Sequence, residues 1–494
     1  MKLNFFRYLF IAIFLSFPTI LCAAQCPPYF TFSGEANDDW FGYWVSAAGD
    51  LDNDGYVDVV VGSPQHNGNG RVYVYSGKTG DTIRTFSGEA VADEFGACLA
   101  ATGDFNNDGV NDLIIGASNN DGSGKDAGRV YVFSGADGDT LFTFSGTSIN
   151  EFFGYSVASA GDVNSDGYDD IMIGVPYDKN ATGSVYIFSG SNGVKLRTYS
   201  GEAEGDQFGF SVSTAGDVNG DNFDDVIIGA WANDGAALEA GRAYIFSGQT
   251  GDTLFKFSGS APSDYFGYSV STAGDANRDG YDDVVVGVPF AANGAGRIFI
   301  YSGHTGDTLH TFTGQSVNAR LGYAVANAGD VNHDGFSDVI VGVPYTHSAA
   351  AGQVNVISGK TGGVLQVVGG IAVGDGLGFS VSSAGDFNKD GFEDLLIGAP
   401  DRDAKEVARS AGSGHAYIFA CCCLGNRGDF NADGTNANVL DLTYLINDIF
   451  RGGPASPCDL EADVNADTTP STVLDLTYLI NNIFRGGPAP GACY

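Results

Sequence analysis

A nine-residue loop dense in carboxylates recurs seven times along this chain of 494 residues. One copy reads Asp162-Val163-Asn164-Ser165-Asp166-Gly167-Tyr168-Asp169-Asp170. Oxygen-bearing side chains stand at positions 1, 3, 5 and 9. Glycine at position 6 permits a sharp turn, and the position 7 carbonyl of Tyr168 is able to point inward. A set of oxygen ligands alone is what a hard cation requires, and calcium loops are built this way. No Cys or His set has ligand spacing, which disfavours zinc. Magnesium prefers fewer protein ligands and more water.

The other six copies keep the pattern. Blade-like units one and two offer Asp50, Asp52, Asp54, Tyr56 and Asp58, then Asp104, Asn106, Asp108, Val110 and Asp112. Unit four offers Asp217, Asn219, Asp221, Phe223 and Asp225, with Asn222 in place of the glycine; Asn tolerates the left-handed conformation. Units five, six and seven offer Asp275, Asn277, Asp279, Tyr281 and Asp283; Asp330, Asn332, Asp334, Phe336 and Asp338; and Asp386, Asn388, Asp390, Phe392 and Asp394. One such loop could be a solvated acidic turn; seven in register predict seven calcium sites. Carboxylates packed this closely repel one another, so the ions are expected to stabilise the folded form rather than to build a ligand site.

The elements that must position these loops repeat with them, the opening aspartates falling 54 to 58 residues apart. Each unit starts with a Phe-Gly step, such as Phe153-Gly154 or Phe208-Gly209, which becomes Leu321-Gly322 and Leu377-Gly378 late in the chain. An alternating strand follows (Tyr155 to Ala160), then the acidic loop, then an apolar strand running into Gly-x-Pro (Ile171 to Pro176). A variable loop leads to a strand such as Arg129 to Phe133, and a Gly-rich turn returns the chain through Thr140 to Phe144. The runs are short, rich in β-branched and aromatic residues, and bounded by Gly, Asp and Asn. No unit carries a sustained 3.6-residue period. Four strands repeated seven times predict a mainly β fold, a seven-bladed β-propeller over residues 25–420, with an open β-solenoid as the runner-up.

The last unit stops at its third strand, His415 to Phe419, while Tyr29-Phe30-Thr31-Phe32-Ser33-Gly34 is an orphan strand that matches Leu141 to Gly146 position by position. The N-terminal strand is therefore expected to complete the last blade and close the ring, removing exposed edges. On that alignment Cys26 lies close enough to pair with one of Cys421, Cys422 or Cys423. Cys98, in an apolar strand, is the expected free thiol.

The Phe-Gly step, the acidic loop and the Gly-Ala-Pro-like end resemble the FG-GAP repeats of integrin α-subunit propellers and their bacterial relatives, over roughly residues 29 to 420. The resemblance implies calcium-binding blades and a role in extracellular recognition or adhesion, with an extracellular protein or glycan as ligand.

Composition shifts after Cys423, so that 421–428 reads as a Cys-rich linker and 429–494 as a second domain. An acidic loop from Asp429 runs into Val439 to Phe450, where Leu442, Leu445, Ile446, Ile449 and Phe450 give a helix with one apolar face. A Gly pair and Pro454 end it, and a second copy runs from Asp463 to Pro488. A loop running into a helix, twice, predicts a small α, EF-hand-like module. It resembles a type I dockerin, which implies ligand positions at Asp429, Asn431, Asp433 and Asp441, then Asp463, Asn465, Asp467 and Asp475, and a cohesin-like or surface-anchoring partner.

Residues 1–24 read as a signal peptide: Lys2 and Arg7, an uncharged apolar run from Leu9 to Phe17, and small residues at Ala23-Ala24. The run is too short to span a membrane, and no later segment is long and apolar enough. The formal net charge of −37 repels nucleic acid and anionic membranes. No HExxH, GxSxG, phosphate loop or paired Cys and His is present, so no enzyme is expected. The expectation is a secreted, calcium-binding extracellular binding or adhesion protein; the alternative is a component of polysaccharide degradation, since dockerins usually dock glycoside-active proteins.

Overall fold

The computed structural model describes residues 28–101, 103–346, 351–370, 374–389, 391–400 and 412–419. Cys26, Cys421, Cys422 and Cys423, Asp390, and the whole dockerin-like segment with its ligand positions lie outside the described residues.

Among the described residues, twenty-eight strands make seven sheets of four antiparallel strands, one sheet per repeat. Blade one shows why this sequence forms them. Its first strand, Trp44–Gly49, is partly buried, with Val45 and Ala48 inside; its second, Asp58–Ser63 (DVVVGS), is buried along its whole length. The third, Arg71–Tyr75, is buried beyond its opening arginine, and the fourth, Thr82–Ser87, is the most exposed, with Phe86 its one buried residue. The second strand lies mid-sheet between two neighbouring blades, so a continuous β-branched run replaces alternation. The first strands pack side by side around the central axis, blade seven against blade one included.

The ring closes as the orphan strand predicts. Phe30–Ser33 pairs antiparallel with His415–Phe419, with Phe30 opposite Ile418 and Phe32 opposite Ala416. This is the register of Phe142 opposite Val132 and Phe144 opposite Val130 in blade two.

The core sits between blades. Val60, Val72 and Val74 of blade one pack with Leu99, Leu113 and Ile115 of blade two. Phe41 and Val59 of blade one meet Phe32, Phe387, Leu396 and Ile418 of blade seven across the closing junction. The Phe of each Phe-Gly step anchors such a cluster, and Leu321 and Leu377 fill the place in blades six and seven.

The glycines of the repeat work as a set at these junctions. The second-strand glycine of each blade lies against the Phe-Gly (or Leu-Gly) glycine of the next. A Cβ on Gly229 would stand 2.0 Å from the Gly267 carbonyl oxygen, and one on Gly398 would stand 2.1 Å from that of Gly42. Only glycine lets two backbones approach this closely.

Candidate metal centres and aromatic mouth

The acidic loops join first and second strands, all at one end of the propeller. In six blades the register slips just before the glycine that ends the first strand, as between Ala47 and Gly49 or Thr272 and Gly274. That glycine has positive φ, 72° at Gly49 and 60° at Gly274. This glycine bulge turns the chain into the loop.

Inside each loop the carboxylates organise the backbone. Asp50 accepts from Asp54 N (2.9 Å) and Gly55 N (2.8 Å), and Asp162 accepts from Asp166 N (3.0 Å) and Gly167 N (2.8 Å). In blade four Asn222, at φ 65°, takes the glycine position, and its N–H reaches Asp217 at 2.8 Å. The position 5 carboxylate accepts from position 7, as Asp54 does from Tyr56 N at 3.0 Å.

Position 9 sits deepest. Asp58, Asp112, Asp170, Asp225, Asp283, Asp338 and Asp394 are buried. Asp225 accepts from Val218 N (3.1 Å) and from Gly248 N (2.9 Å) in the turn between third and fourth strands, clamping loop to hairpin. Burial pushes these carboxyls up, Asp58 and Asp112 to about 6 and Asp170, Asp225, Asp283 and Asp338 to about 7. Backbone hydrogen bonds oppose that rise, and neighbouring loop carboxylates add to it.

In blade one, carboxylate oxygens of Asp50, Asp52 and Asp58 lie within 4.8 Å of one another. In blades two to five position 3 is Asn, whose amide donates to the position 9 carboxylate, as from Asn219 to Asp225 at 3.0 Å. The Asn106 and Asn277 side-chain oxygens are then buried with no hydrogen-bond partner. Buried acceptors without donors, among carboxylates raised by burial, fit an oxygen-liganded divalent cation. In blade seven, Asp386, Asn388 and Asp394 take the same places.

At the opposite end of the first strands, the axis opens into a cavity of about 340 Å³. The residue after each Phe-Gly glycine lines it: Tyr43, Tyr155, Phe210, Tyr268, Tyr323 and Phe379, with Ala97 in blade two. The rings form a chain with centroids 5.0 Å apart from Tyr155 to Phe210, 5.1 Å to Tyr268, 5.1 Å to Tyr323, 5.0 Å to Phe379 and 4.9 Å to Tyr43. Tyr177 and Phe152 extend the wall beside blade three, while Glu94, Ser118 and Asn119 stand near the Ala97 gap. Motif reading for metals and catalysts missed this mouth. Its signal was the aromatic one residue past the glycine in six of seven repeats.

Cys98 is buried, and its Sγ donates to the Gly154 carbonyl at 3.0 Å. Ser156, Ser211, Ser269 and Ser380 hold the corresponding place and donate to the next blade's glycine carbonyl.

Closed seven-blade architecture, glycine-to-glycine blade junctions and one acidic loop per blade define an integrin-α-like β-propeller. The FG-GAP repeat model matches residues 41–75, 99–133, 153–188, 208–246, 266–301, 321–357 and 377–419, more than half of the chain, which therefore belongs to the FG-GAP repeat family. The chain is similar to integrin alpha-5 of Xenopus laevis, 35% identical over 227 residues (42% of this chain, 21% of the relative). It is also similar to integrin alpha-V of Gallus gallus, 34% over 244 residues (46% and 23%), and to integrin alpha pat-2 of Caenorhabditis briggsae, 34% over 238 residues (42% and 19%). The aligned stretch spans about a fifth of these relatives. Among the described residues no helix is long and apolar enough to cross a membrane.

Proposed function

We propose that this chain is a secreted, non-enzymatic extracellular binding or adhesion protein whose propeller is stiffened by calcium. The observation that carries the calcium reading is the recurrence of one acidic loop in seven blades, with converging carboxylate oxygens in blade one and buried acceptors without donors in blades two and five. In each loop the ion would be held by side-chain oxygens at positions 1, 3, 5 and 9 and by the position 7 carbonyl. It supplies positive charge where carboxylates are otherwise crowded. Binding only to the folded form contributes roughly 2.7 kcal/mol per site at a hundredfold excess over Kd. Thermal melting should therefore rise by many degrees in calcium over chelator; an unchanged midpoint would sink the metal reading.

Membership of the FG-GAP family and similarity to integrin α chains support recognition rather than catalysis. The aromatic mouth supports it too: an apolar wall with a few polar groups at one side is how ligand pockets are built. The C-terminal dockerin-like segment would serve attachment. A glycan array combined with a reducing-sugar assay tests the non-enzymatic reading, which turnover of any polysaccharide would overturn.

A further inference from the structure

We propose that the loops load calcium as a coupled ring, in which the residue at position 8 of one loop positions the metal loop of the preceding blade, through its carboxylate in blades three and five. This inference rests on the calcium reading above and goes beyond it.

Position 8 is not among the expected ligands. In blades three and five its carboxylate leaves its own loop and meets the backbone where the previous loop begins. Asp282 of blade five accepts the N–H of Asp217, the first ligand of blade four, at 3.0 Å, and its own N–H reaches the Asp217 carbonyl at 3.2 Å. Asp169 of blade three accepts the N–H of Asp104, first ligand of blade two, at 3.0 Å. Ser337 N of blade six donates to the Asp275 carbonyl of blade five at 3.2 Å.

Glycine spaces the contact all the way round. The positive-φ glycine before each loop lies against position 8 of the next: Gly161 on Asp224, Gly216 on Asp282, Gly329 on Glu393, and Gly385 on Val57 where blade seven meets blade one. A second link joins position 4 to the next loop's position 7. Arg278 lies over Phe336 at 5.7 Å, His333 stacks on Phe392 at 4.3 Å, and Lys389 lies over Tyr56 at 3.9 Å. An ion that orders one loop thereby orders the residue that holds its neighbour's first ligand, which is a coupling free energy between sites.

Hydrogen-exchange mass spectrometry of the full chain over a calcium titration reads each loop separately. The Asp282→Ala variant should raise the calcium midpoint for protection of residues 217–225, one blade away, at least about fivefold, the low end of coupling between sites. The Asp282→Asn variant keeps an acceptor for the Asp217 N–H and should restore that midpoint. A shift confined to 275–283, no shift at all, or an Asn variant as damaged as Ala at 217–225 would each overturn the proposal. Should Asp282→Ala fail to fold, Asp169→Ala and Asp169→Asn, read at 104–112, test the same coupling between blades three and two, with the same outcomes supporting or overturning it. Absence of calcium protection in every loop of the native chain would bring down the calcium reading itself, and the inference with it.

Discussion

Within one loop the acidic residues divide into two kinds. Asp225 holds two backbone N–H groups from different elements, whereas Asp221 accepts the single N–H of Phe223 two residues on. Removing a partner from buried donors costs roughly 1–3 kcal/mol per group. Asp225→Ala should therefore lower stability in chelator as well as in calcium. Asp221→Ala should lower it chiefly in calcium, so paired melts with and without the ion separate the two. Cys98 makes a similar point. Burial pushes its thiol up to about 12, so little thiolate forms near neutral pH. It should resist alkylation at pH 8 until denaturant is added. Cys98→Ser should cost less than Cys98→Ala, by about 1 kcal/mol in chemical denaturation, because serine supplies the same donor in four other blades.

Strands and turns were largely legible because each repeat states the same grammar. Arg129 to Phe133 is a strand as read, and Phe30–Ser33 pairs in the expected register. The acidic loops were legible as well, since oxygen side chains at alternate positions before a turn residue recur in every repeat, and the structure puts each such loop between a first and a second strand. What lay out of reach was contact across blades. A residue at position 8 shows as one more acidic letter until the ring closes and puts it on the preceding loop. The aromatic after Phe-Gly could be read as core until the axis is seen to be open there. Junction glycines explain both halves of the repeat motif: Gly229→Ala would place a methyl 2.0 Å from the Gly267 carbonyl oxygen. Strain of that kind typically costs about 1–3 kcal/mol, which a urea midpoint measures.

For the whole molecule, closure through the chain's first strand means that blade seven is built from residues nearly four hundred positions apart. Deleting residues 28–34 removes Phe30 and Phe32, and with Phe32 a member of the junction cluster that includes Phe387 and Ile418. The truncated chain should expose the edge of His415–Phe419, self-associate in light scattering and melt earlier than the full chain. Losing the closing strand would also loosen blade seven's hold on blade one, so damage should spread to both neighbours rather than stay local.

The break in the aromatic chain at Ala97 has its own consequence. Six nearly equivalent blades would give a visitor at the mouth no preferred rotational setting. A single small residue, with Glu94 and Asn119 close by, marks one compass bearing on an otherwise repetitive rim. Whatever enters can be held at one azimuth, which converts a pseudo-symmetric opening into an oriented one.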